Sequence, residues 1–590
     1  MYNAFLLIFL AFSVLADTEL EVIEIEAEKD IKRFTFVNSH HISEHELETQ
    51  SMGIFSPVLE KVPGLIAVQA GGPGGTISYF MRGTESRHVS FTLDGLKIND
   101  TSHVDRQFNA AFMSSPFIKE ITVHKSPQAV LFGSDALGGM IEMKTRKGEN
   151  APETRLSVNG GSFGTLDSSL SSDWKKKHGN GTLTVSRFHT DGLSRLNKKR
   201  FDADERDATD ITQLTSSSEH RWGNKIQTNF LASYLHSKAE QDSFAIDNSD
   251  DFSRNDQYIL QQKTDYELAS KQTISLRNGF NRHQRYINSL SKSEFFNGNL
   301  SQHQVIHRLE LGNFGFLSGL GTEKESSKAI SMDRSFDLHS VFFQSSYQLD
   351  EFKFHVGGRS DYHTKYGSFN TGSTGLSYAD FSLQYSQGYK VPSLYQLYGP
   401  DSFGAPVGNR NLVPETNHSL EASWRKKTEF TESGITLFQN RLKNQFTYSF
   451  TQGYLNQQRF TTEGVEVFGS IKTTRTQLDL SFNHQQFKKE EAPVLRRPYN
   501  SAQFGFSYFS EESIELNITE RWFSSRRDYG TAGILKLNSY EVTDLSVRKT
   551  WENDDIALQL KNVLNREYED MFGFNVMPRA IFAHYGHKFQ

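Results

Sequence analysis

Residues 226–234 read IQTNFLASY, and their side chains alternate between two kinds of surface. Phe230 and Tyr234 fall on one face of an extended strand, whereas Gln227 and Asn229 fall on the other. A period of two with one apolar and one polar face is typical of a strand that separates two environments. This stretch therefore predicts a β-strand in a large sheet rather than an amphipathic helix.

The same alternation returns along the rest of the chain, for example at residues 381–386 (FSLQYS) and 478–483 (LDLSFN). No segment after residue 150 keeps a helical period. Residues 151–590, divided by about twenty residues for a membrane strand with its turn and loop, give about 22 strands. The sequence therefore predicts an all-β transmembrane barrel of about 22 antiparallel strands, which we assign to residues 149–590. A barrel of that width is expected to enclose a plugged lumen.

Composition narrows the function classes. The 590 residues include no cysteine, which excludes a disulfide framework, a thiolate zinc site and a cysteine nucleophile. The mean hydropathy is −0.56 and no apolar run of about 18 residues follows the N-terminus, which excludes a helical membrane protein. The net charge of −6 gives no support for nucleic-acid binding. No GxxxxGK[ST] loop occurs, so we expect no nucleotide-driven machine. We also expect no enzyme, since a hydrolase in a barrel would need a serine, a histidine and an acid that converge inside the wall.

The N-terminus predicts export. Residues 4–14 (AFLLIFLAFSV) form a short apolar core ahead of small residues, which is typical of a signal peptide that we assign to residues 1–16. Neither Lys nor Arg precedes this core, so a buried strand or helix of the mature protein is the alternative. Residues 17–30 (DTELEVIEIEAEKD) alternate apolar residues with glutamate. Such a leader could add a strand to the sheet edge of a partner, or it could be a disordered leader.

Residues 31–148 have a different character from the barrel. Short strand candidates, separated by glycines, occupy residues 77–82, 88–94, 119–124 and 140–145. Helical spacing occurs before the first of them, so helix and strand signals alternate along this region. We interpret it as an α+β plug domain that lies inside the lumen of the barrel.

Several short motifs occur in an order that resembles one family. In the plug region the motifs are residues 60–64 (EKVPG), 81–83 (MRG), 93–95 (LDG) and 131–141 (LFGSDALGGMI). In the barrel region they are residues 388–397 (GYKVPSLYQL), 408–415 (GNRNLVPE) and 561–568 (KNVLNREY). In order and spacing, this set resembles the TonB-dependent outer-membrane receptors over nearly the whole mature chain. The resemblance implies a barrel in the cell outer membrane of a Gram-negative bacterium, surrounded by outer-membrane lipid.

The resemblance gives the acidic leader a role. The TonB box of the family corresponds here to Glu21, Val22, Ile23, Glu24, Ile25, Glu26 and Ala27. This implies active uptake energised by TonB, with ExbB and ExbD, and insertion by the barrel-assembly machinery. That machinery commonly reads a terminal aromatic residue, but here Gln590 follows Phe589. A passive porin and a ligand-sensing receptor are less favoured, and deletion of the leader would separate a porin from an energised transporter.

Ligand contacts in this architecture come from plug apices and extracellular loops. The candidate residues are Gly74, Gly75, Thr76, Ser78, Asn99, His103, Asp105 and Arg106. Glycines allow a close backbone approach to a bulky ligand, whereas the second apex could equally be a hydrated loop. Residues 70–95 and 566–575 are similar in layout to the cobalamin receptors of the family. We therefore favour cobalamin as cargo, with a ferric siderophore as the alternative, and neither requires a resident cofactor.

Two acidic loop regions could bind calcium, as the cobalamin receptors do in corresponding loops. The candidate ligands are Asp202, Asp204, Asp207, Asp242 and Asp247. Calcium prefers oxygen ligands of this kind, but no contiguous calcium-loop motif is present and solvated loops are the favoured alternative. A metal site at His40, His41 and His45 is less favoured than a polar linker.

Arg82 and Asp94 are charged residues within the glycine-flanked motifs of the plug region. They could form a hydrogen-bonded pair inside the plug that is strained when the plug opens. They could equally face the barrel wall or solvent, and the sequence leaves both arrangements open.

Overall fold

The structure is a computed structural model that describes residues 39–50, 56–148, 152–242, 246–248, 250–290, 292–401, 405–488 and 493–589. A small mixed domain precedes a closed sheet that surrounds it. Among the described residues, no helix is long and apolar enough to cross a membrane.

The N-terminal domain consists of short elements joined by turns. Its described strands are β1 (Ser39–Ile42), β2 (Leu65–Gln69), β3 (Ile77–Met81), β4 (Val89–Leu93), β5 (Leu96–Lys97), β6 (Ile118–His124) and β7 (Gly139–Thr145). Its described helices are α1 (Glu44–Gln50), α2 (Ser56–Leu59) and α3 (Ala129–Phe132), with 3-10 turns at Ser86–His88 and Ala110–Phe112. The α+β character predicted from the sequence is confirmed, and each predicted strand lies within one residue of an observed one.

Five of these strands form one sheet in the order β1-β6-β7-β4-β5, in which β4 and β7 are parallel. Strands β2 and β3 form a separate antiparallel pair. The core between the elements is apolar, and Leu93, Ile121 and Ile141 are fully buried in it. Leu231 and Ile259 of the surrounding sheet belong to the same core, so the domain packs directly on the inner wall.

The closed sheet contains 22 antiparallel strands among the described residues, as the sequence predicted. The first half comprises β8 (Thr154–Gly161), β9 (Thr165–Lys176), β10 (Gly179–Thr190), β11 (Thr209–Trp222), β12 (Ile226–Glu240), β13 (Phe252–Ala269), β14 (Gln272–Ser289), β15 (Lys292–Leu311), β16 (Phe314–Ala329), β17 (Met332–Leu349), β18 (Phe352–His363) and β19 (Gly367–Tyr378). The second half comprises β20 (Phe381–Lys390), β21 (Glu415–Lys427), β22 (Thr431–Ser449), β23 (Gly453–Lys472), β24 (Thr476–Lys488), β25 (Asn500–Phe509), β26 (Ile514–Phe523), β29 (Tyr540–Thr550), β30 (Asp554–Lys561) and β31 (Ala580–Phe589). The last strand pairs with the first, from Phe582 opposite Gly161 to Phe589 opposite Thr154, and so closes the barrel.

The predicted alternation decides which side chains face the lumen. In β12, Phe230 is 47% exposed on the outside, whereas its neighbour Leu231 is 4% exposed and packs against the plug core. In the last strand, Ile581 and Tyr585 are likewise exposed on the outer face. Because successive side chains of a strand point to opposite faces, a single register sets an apolar outer wall and a largely polar inner one.

The two ends of the barrel differ. The chain enters β8 and leaves β31 at an end where turns such as residues 177–178, 270–271 and 350–351 are short. The opposite end carries the long connections, including residues 191–208 and 391–414. One long connection contains a separate hairpin of β27 (Arg526–Gly530) and β28 (Gly533–Leu537). The long loops therefore gather at one end, above the plug.

Candidate functional site

The connection between β20 and β21 folds inward onto an apical loop of the plug, and it contains the helix α4 (Leu394–Tyr398). Ser393 caps this helix, since its Oγ accepts a hydrogen bond from the Gln396 backbone N–H at 3.0 Å. Gln396 Nε2 then donates to Asp105 Oδ1 of the plug at 2.8 Å, and the Ser393 hydroxyl donates to the Val104 carbonyl. The capped turn thus fixes the barrel loop to the plug apex.

Aromatic rings surround this contact. The ring centroids of Tyr448 and Tyr454 are 5.2 Å apart, and those of Tyr395 in α4 and Phe296 in β15 are 6.3 Å apart. The guanidinium of Arg285 lies 4.9 Å from the centre of the Phe296 ring. Rings with polar edges and a nearby cation suit a large ligand that has both apolar and anionic parts. These residues were not among the predicted ligand contacts, although the motif at 394–398 (LYQLY) is rich in tyrosine.

The first predicted apex, residues 71–78, lies against the barrel wall. Gly74 and Gly75 are buried, and a side chain at Gly74 would lie 2.0 Å from Thr209 Oγ1. Thr76 is exposed, whereas Ser78 lies half-buried in β3. Within this apex, Thr76 is therefore the residue that is open to a ligand.

The second predicted apex combines buried and accessible residues. Asn99 is buried and donates from Nδ2 to the Arg106 carbonyl at 2.8 Å. Arg106 is buried as well, with Nη1 at 2.7 Å from Glu325 and Nη2 at 2.9 Å from Asp135. His103 and Asp105 are half-buried at the surface of the apex. Arg106 and Asn99 hold the loop in place, and His103 and Asp105 are the ones that can be reached from the lumen.

Buried ion pairs join the plug to the barrel wall. Arg82 donates from Nε to Glu466 Oε1 at 3.0 Å and also pairs with Glu421, while Lys125 Nζ lies 2.9 Å from Glu466 Oε2. Asp94 instead accepts hydrogen bonds from the backbone N–H and the hydroxyl of Thr145. Of the two arrangements left open by the sequence, the structure therefore shows Arg82 facing the wall and no Arg82–Asp94 pair.

A second buried connection lies beside the first. Arg87 Nη2 is 2.9 Å from Glu415 Oε1, and His88 Nε2 is 2.9 Å from Glu415 Oε2. Charges that are taken out of water need partners of this quality, because an uncompensated buried charge costs several kcal/mol. The plug is thus attached to the wall by specific, buried ion pairs in addition to the apolar contacts of its core.

Three carboxylates from two extracellular loops converge within the described residues. They belong to Glu205, Asp242 and Asp247, and one oxygen of each lies within 4.8 Å of the other two. Asp247 Oδ2 also accepts from the Asp204 and Glu205 backbone N–H groups, which leaves Oδ1 of Asp247 buried and without a hydrogen bond. Oε1 of Glu205 is in the same condition. Carboxylate oxygens that accept no hydrogen bond are free to act as ligands, and a hard cation such as calcium prefers oxygen ligands of this kind.

Two carboxylates of this cluster, Glu205 and Asp242, have raised pKa values. Burial raises the pKa of Glu205 to about 7, and the neighbouring Asp247 adds to the effect. Burial is the largest cause that raises the pKa of Asp242 to about 7, and the negative charge of Asp207 is the second. A bound divalent cation would remove this mutual repulsion.

The structure brings together two of the five predicted calcium ligands. Asp242 and Asp247 join Glu205, a residue of the same acidic region that the prediction did not include. Asp207 lies next to the cluster, where Oδ2 accepts from the Arg195 backbone N–H at 2.6 Å. Asp204 pairs with the exposed Lys198. Asp202 is exposed and lies outside the group of three.

The predicted TonB box, residues 21–27, lies outside the described residues. The first described strand beyond it is β1, which forms the edge of the plug sheet and pairs with β6 over four residues. In β1, His41 Nε2 lies 3.6 Å from Glu120, and in α1, His45 Nε2 lies 3.2 Å from Glu515. Within the described part of the chain, neither histidine belongs to a group of three or more side chains that could hold a metal ion.

Two family models match the chain and cover almost all of its folded part. The model for the TonB-dependent receptor plug domain matches residues 32–140, and the model for the TonB-dependent receptor-like β-barrel matches residues 154–565. The chain belongs to the TonB-dependent receptors. It is accordingly an outer-membrane protein of Gram-negative bacteria, and the family consists of transporters and receptors that interact with TonB.

Known relatives carry different cargoes. The vitamin B12 transporter BtuB of Photobacterium profundum is 23% identical over 577 residues, which are 93% of this chain and 92% of the relative. The crystal structure of the siderophore receptor PirA from Acinetobacter baumannii superimposes with a TM-score of 0.81 at 15% identity, covering 96% of this chain and all of that one. The FrpB iron transporter from Neisseria meningitidis gives a TM-score of 0.79 at 12% identity, covering 94% of this chain and all of that one. The two structures share the fold with this chain.

Proposed function

We propose that this TonB-dependent transporter imports cobalamin. Two observations support this cargo: the likeness to a vitamin B12 transporter along 93% of the chain, and a loop cluster whose carboxylate oxygens suit calcium. The closed lumen supports active import, because a plug fixed by buried ion pairs blocks diffusion of a bulky solute. Tyr395, Tyr448 and Tyr454, which we call the tyrosine floor, lie near Asp105 and offer the partly apolar surface that a corrin ring needs.

Calcium is proposed as an accessory ion of the extracellular loops. Glu205, Asp242 and Asp247 would supply carboxylate oxygens, and the ion would join the loop after β10 to the loop after β12. Because Asp242 Oδ2 accepts from the Leu196 backbone N–H at 3.2 Å, an ion there would also order the loop segment beside the plug apex. The ion has no chemical step to perform and serves only to shape the binding surface.

Energy would reach the plug through the acidic leader. Residues 21–27 alternate apolar and acidic residues, which allows strand addition to TonB by main-chain hydrogen bonds. ExbB and ExbD would drive TonB from the inner membrane, and the barrel-assembly machinery would insert the chain. A pull on the leader would act first on β1, which only four residue pairs hold to β6.

The test is equilibrium binding of the detergent-solubilised full chain to cyanocobalamin, with and without calcium. We expect saturable binding that strengthens with calcium, and we expect Asp242→Asn to abolish the calcium effect while leaving calcium-free binding in place. Asp333→Asn, on an exposed carboxylate that pairs with Lys328, is the matched control. Failure to bind cyanocobalamin under both conditions would remove cobalamin as the cargo.

A ferric siderophore is the second candidate cargo. The observation that favours it is the combination of Arg285 with the Phe296 and Tyr395 rings, which suits an anionic aromatic chelate. A panel of ferric siderophores in the same binding assay separates the two cargoes. Saturable binding of a siderophore alone would keep the transporter and replace its ligand.

A further inference from the structure

A groove crosses the outer wall of the barrel over strands β23 to β26, and its volume is about 490 Å³. Sites that hold one small ligand commonly have volumes of about 300–1,000 Å³. The groove follows two neighbouring rows of outward-facing residues, in which each residue is paired with the next across the sheet. The first row comprises Gly469, Leu480, Phe504 and Glu520, and the second comprises Val467, Phe482, Ala502 and Trp522. We call these eight residues the outer groove.

Small residues create the depression in the wall. A Cβ added at Gly469 would meet nothing within 4 Å, so this position leaves open space at one end of the first row. In the second row, Ala502 stands between the much larger Phe482 and Trp522, which are both exposed. The groove is therefore bordered by large apolar side chains and has little side-chain volume in its floor.

The outer groove faces the membrane. In β26, Arg521 points inward, where it pairs with Glu60 of the plug, so its neighbours Glu520 and Trp522 point outward. Strand β26 has ten residues, which is about the length that a tilted strand needs to cross the hydrocarbon layer. Along its outer face, Glu520 lies between Ile518 and Trp522, which are both exposed. A carboxylate is thus placed among apolar side chains in the band of the wall that contacts lipid.

Glu520 has no cationic partner in the described part of the chain. Its Oε2 accepts a hydrogen bond from the hydroxyl of Thr543 in β29, which supplies no positive charge. By contrast, the outward-facing Glu541 in the next row forms a salt bridge with Arg566. An ionisable side chain at the level of the hydrocarbon is costly unless it is paired, so such residues commonly mark a functional contact. The chemistry that Glu520 lacks is a cation or a strong hydrogen-bond donor on the lipid side.

The groove runs obliquely between the two surfaces of the membrane. Glu520 is the fourth residue from the end of β26 that leads into the long loop 524–539. Gly469 is the fourth residue from the end of β23 that leads into the short turn 473–475. Because the strands are tilted, the first row passes from the extracellular side at Glu520 to the periplasmic side at Gly469. A lipid of the extracellular leaflet has the same polarity, with its head group outward and its acyl chain toward the bilayer centre.

We propose that the outer groove binds one membrane lipid whose head group carries an ammonium ion. The acyl chain lies along Phe504 and Leu480 toward Gly469, and the ammonium supplies the counter-charge of Glu520. The phosphates of lipid A have the wrong sign of charge for this carboxylate. A second copy of the chain fits less well, since a two-fold contact would place the same face, and therefore Glu520 of each copy, on both sides without a cation.

The test is native mass spectrometry of the delipidated, detergent-solubilised full chain. It is titrated with phosphatidylethanolamine and, separately, with phosphatidylglycerol that has the same acyl chains. We expect one phosphatidylethanolamine to bind, with an affinity about tenfold or more above that of phosphatidylglycerol. Glu520→Gln should remove this preference, because an amide carries no charge to attract the ammonium. Glu463→Gln is the matched control, since Glu463 of β23 already pairs with the exposed Lys488.

A second variant fills the groove instead of changing its charge. Gly469→Leu should abolish binding of both lipids, because its side chain occupies the path of the acyl chain. The variant is expected to fold, since the added Cβ meets no other atom within 4 Å. Gly160→Leu in β8 is the control, because Gly160 pairs with the outward-facing Ala583 and its added Cβ lies 3.9 Å from the backbone oxygen of Thr165.

Thermal unfolding of each variant shows that it remains folded, so a loss of binding reports on the groove. Absence of stoichiometric lipid binding, an unchanged preference in Glu520→Gln or undiminished binding in Gly469→Leu would overturn the proposal. So would preferential binding of lipid A. A dimer that Gly469→Leu dissociates would overturn it as well, since the groove would then be an interface between copies. None of these results bears on the cargo, because neither cobalamin nor a siderophore takes part in the titration.

Discussion

Arg82 of the plug donates a hydrogen bond from Nε to Oε1 of Glu466 in strand β23, over 3.0 Å and with both side chains almost fully buried. Nη2 of the same guanidinium reaches Glu466 Oε2 at 3.1 Å, so the contact is a two-pronged pair of the kind arginine forms best with a carboxylate. The ring of Phe438 lies 5.0 Å from the guanidinium carbon and excludes water from one side. The plug is therefore fixed to the wall at a defined point.

Glu466→Gln should loosen the plug. The substitution removes one of the two carboxylates around Arg82 and the partner of Lys125, and breaking a buried pair in this way costs about 3–5 kcal/mol. We expect a lower unfolding temperature and a higher ion conductance of the barrel in planar bilayers. Glu432→Gln is the control, because Glu432 pairs with the exposed Arg425 and such pairs contribute about 0–1 kcal/mol. Wild-type conductance and unchanged stability in the Glu466 variant would show that this contact does not hold the plug.

Calcium binding should depend on pH around neutrality. The pKa values of Glu205 and Asp242 are raised to about 7, so protons compete with the ion below that value. We expect the calcium affinity to fall by about tenfold or more between pH 8 and pH 6, measured by calorimetry. An affinity that is constant across this range would place the ion elsewhere.

Without calcium, Glu205 and Asp242 also determine whether the free energy of unfolding rises or falls with pH. Their native pKa values exceed the ordinary carboxylate values of about 4, so the folded protein keeps protons that the unfolded chain releases between about pH 4 and pH 7. The free energy of unfolding should therefore fall as the pH rises through this window. Added calcium should offset the fall, and Asp242→Asn should reduce both the pH dependence and the calcium effect.

The sequence was sufficient for the architecture because the barrel is defined by a local pattern. A period of two at residues 226–234 determines which side chains face the lumen, and the chain length then sets the strand number. Turn glycines likewise marked the plug strands to within one residue. Local patterns of this kind need no knowledge of distant contacts.

The site was less accessible to sequence reasoning because its parts come from distant segments. Glu205 and Asp247 are separated by a whole strand pair, and only the fold shows which acidic residues of the two loops meet. Arg82 and Glu466 are 384 positions apart, so the sequence could not choose between a pair within the plug and a pair with the wall. The tyrosine floor was missed for the same reason, since Tyr395 lies in the connection between β20 and β21 and Tyr454 lies in β23.

Gly74→Ala should destabilise the contact between the first plug apex and the barrel wall at Thr209. Gly74 has φ +84°, and an added Cβ would lie 2.0 Å from Thr209 Oγ1, so both backbone strain and crowding oppose the substitution. We expect a loss of about 1–3 kcal/mol in the free energy of unfolding, measured by chemical denaturation. Gly312→Ala is the control, since Gly312 has φ +57° with nothing within 4 Å of the added Cβ. Equal losses in the two variants would attribute the effect to the backbone conformation alone.

Ile25→Pro in the leader should abolish energised uptake and leave ligand binding intact. Proline has no backbone N–H and cannot take part in a strand ladder, so it removes the main-chain hydrogen bonds on which strand addition to TonB depends. Ile25→Thr is the matched control, because threonine keeps the donor and the β preference while changing the side chain. We expect uptake of labelled ligand by cells to stop with proline and continue with threonine, with equal equilibrium binding in both. Uptake by the proline variant at the wild-type rate would show that the leader does not couple TonB to the plug through strand addition.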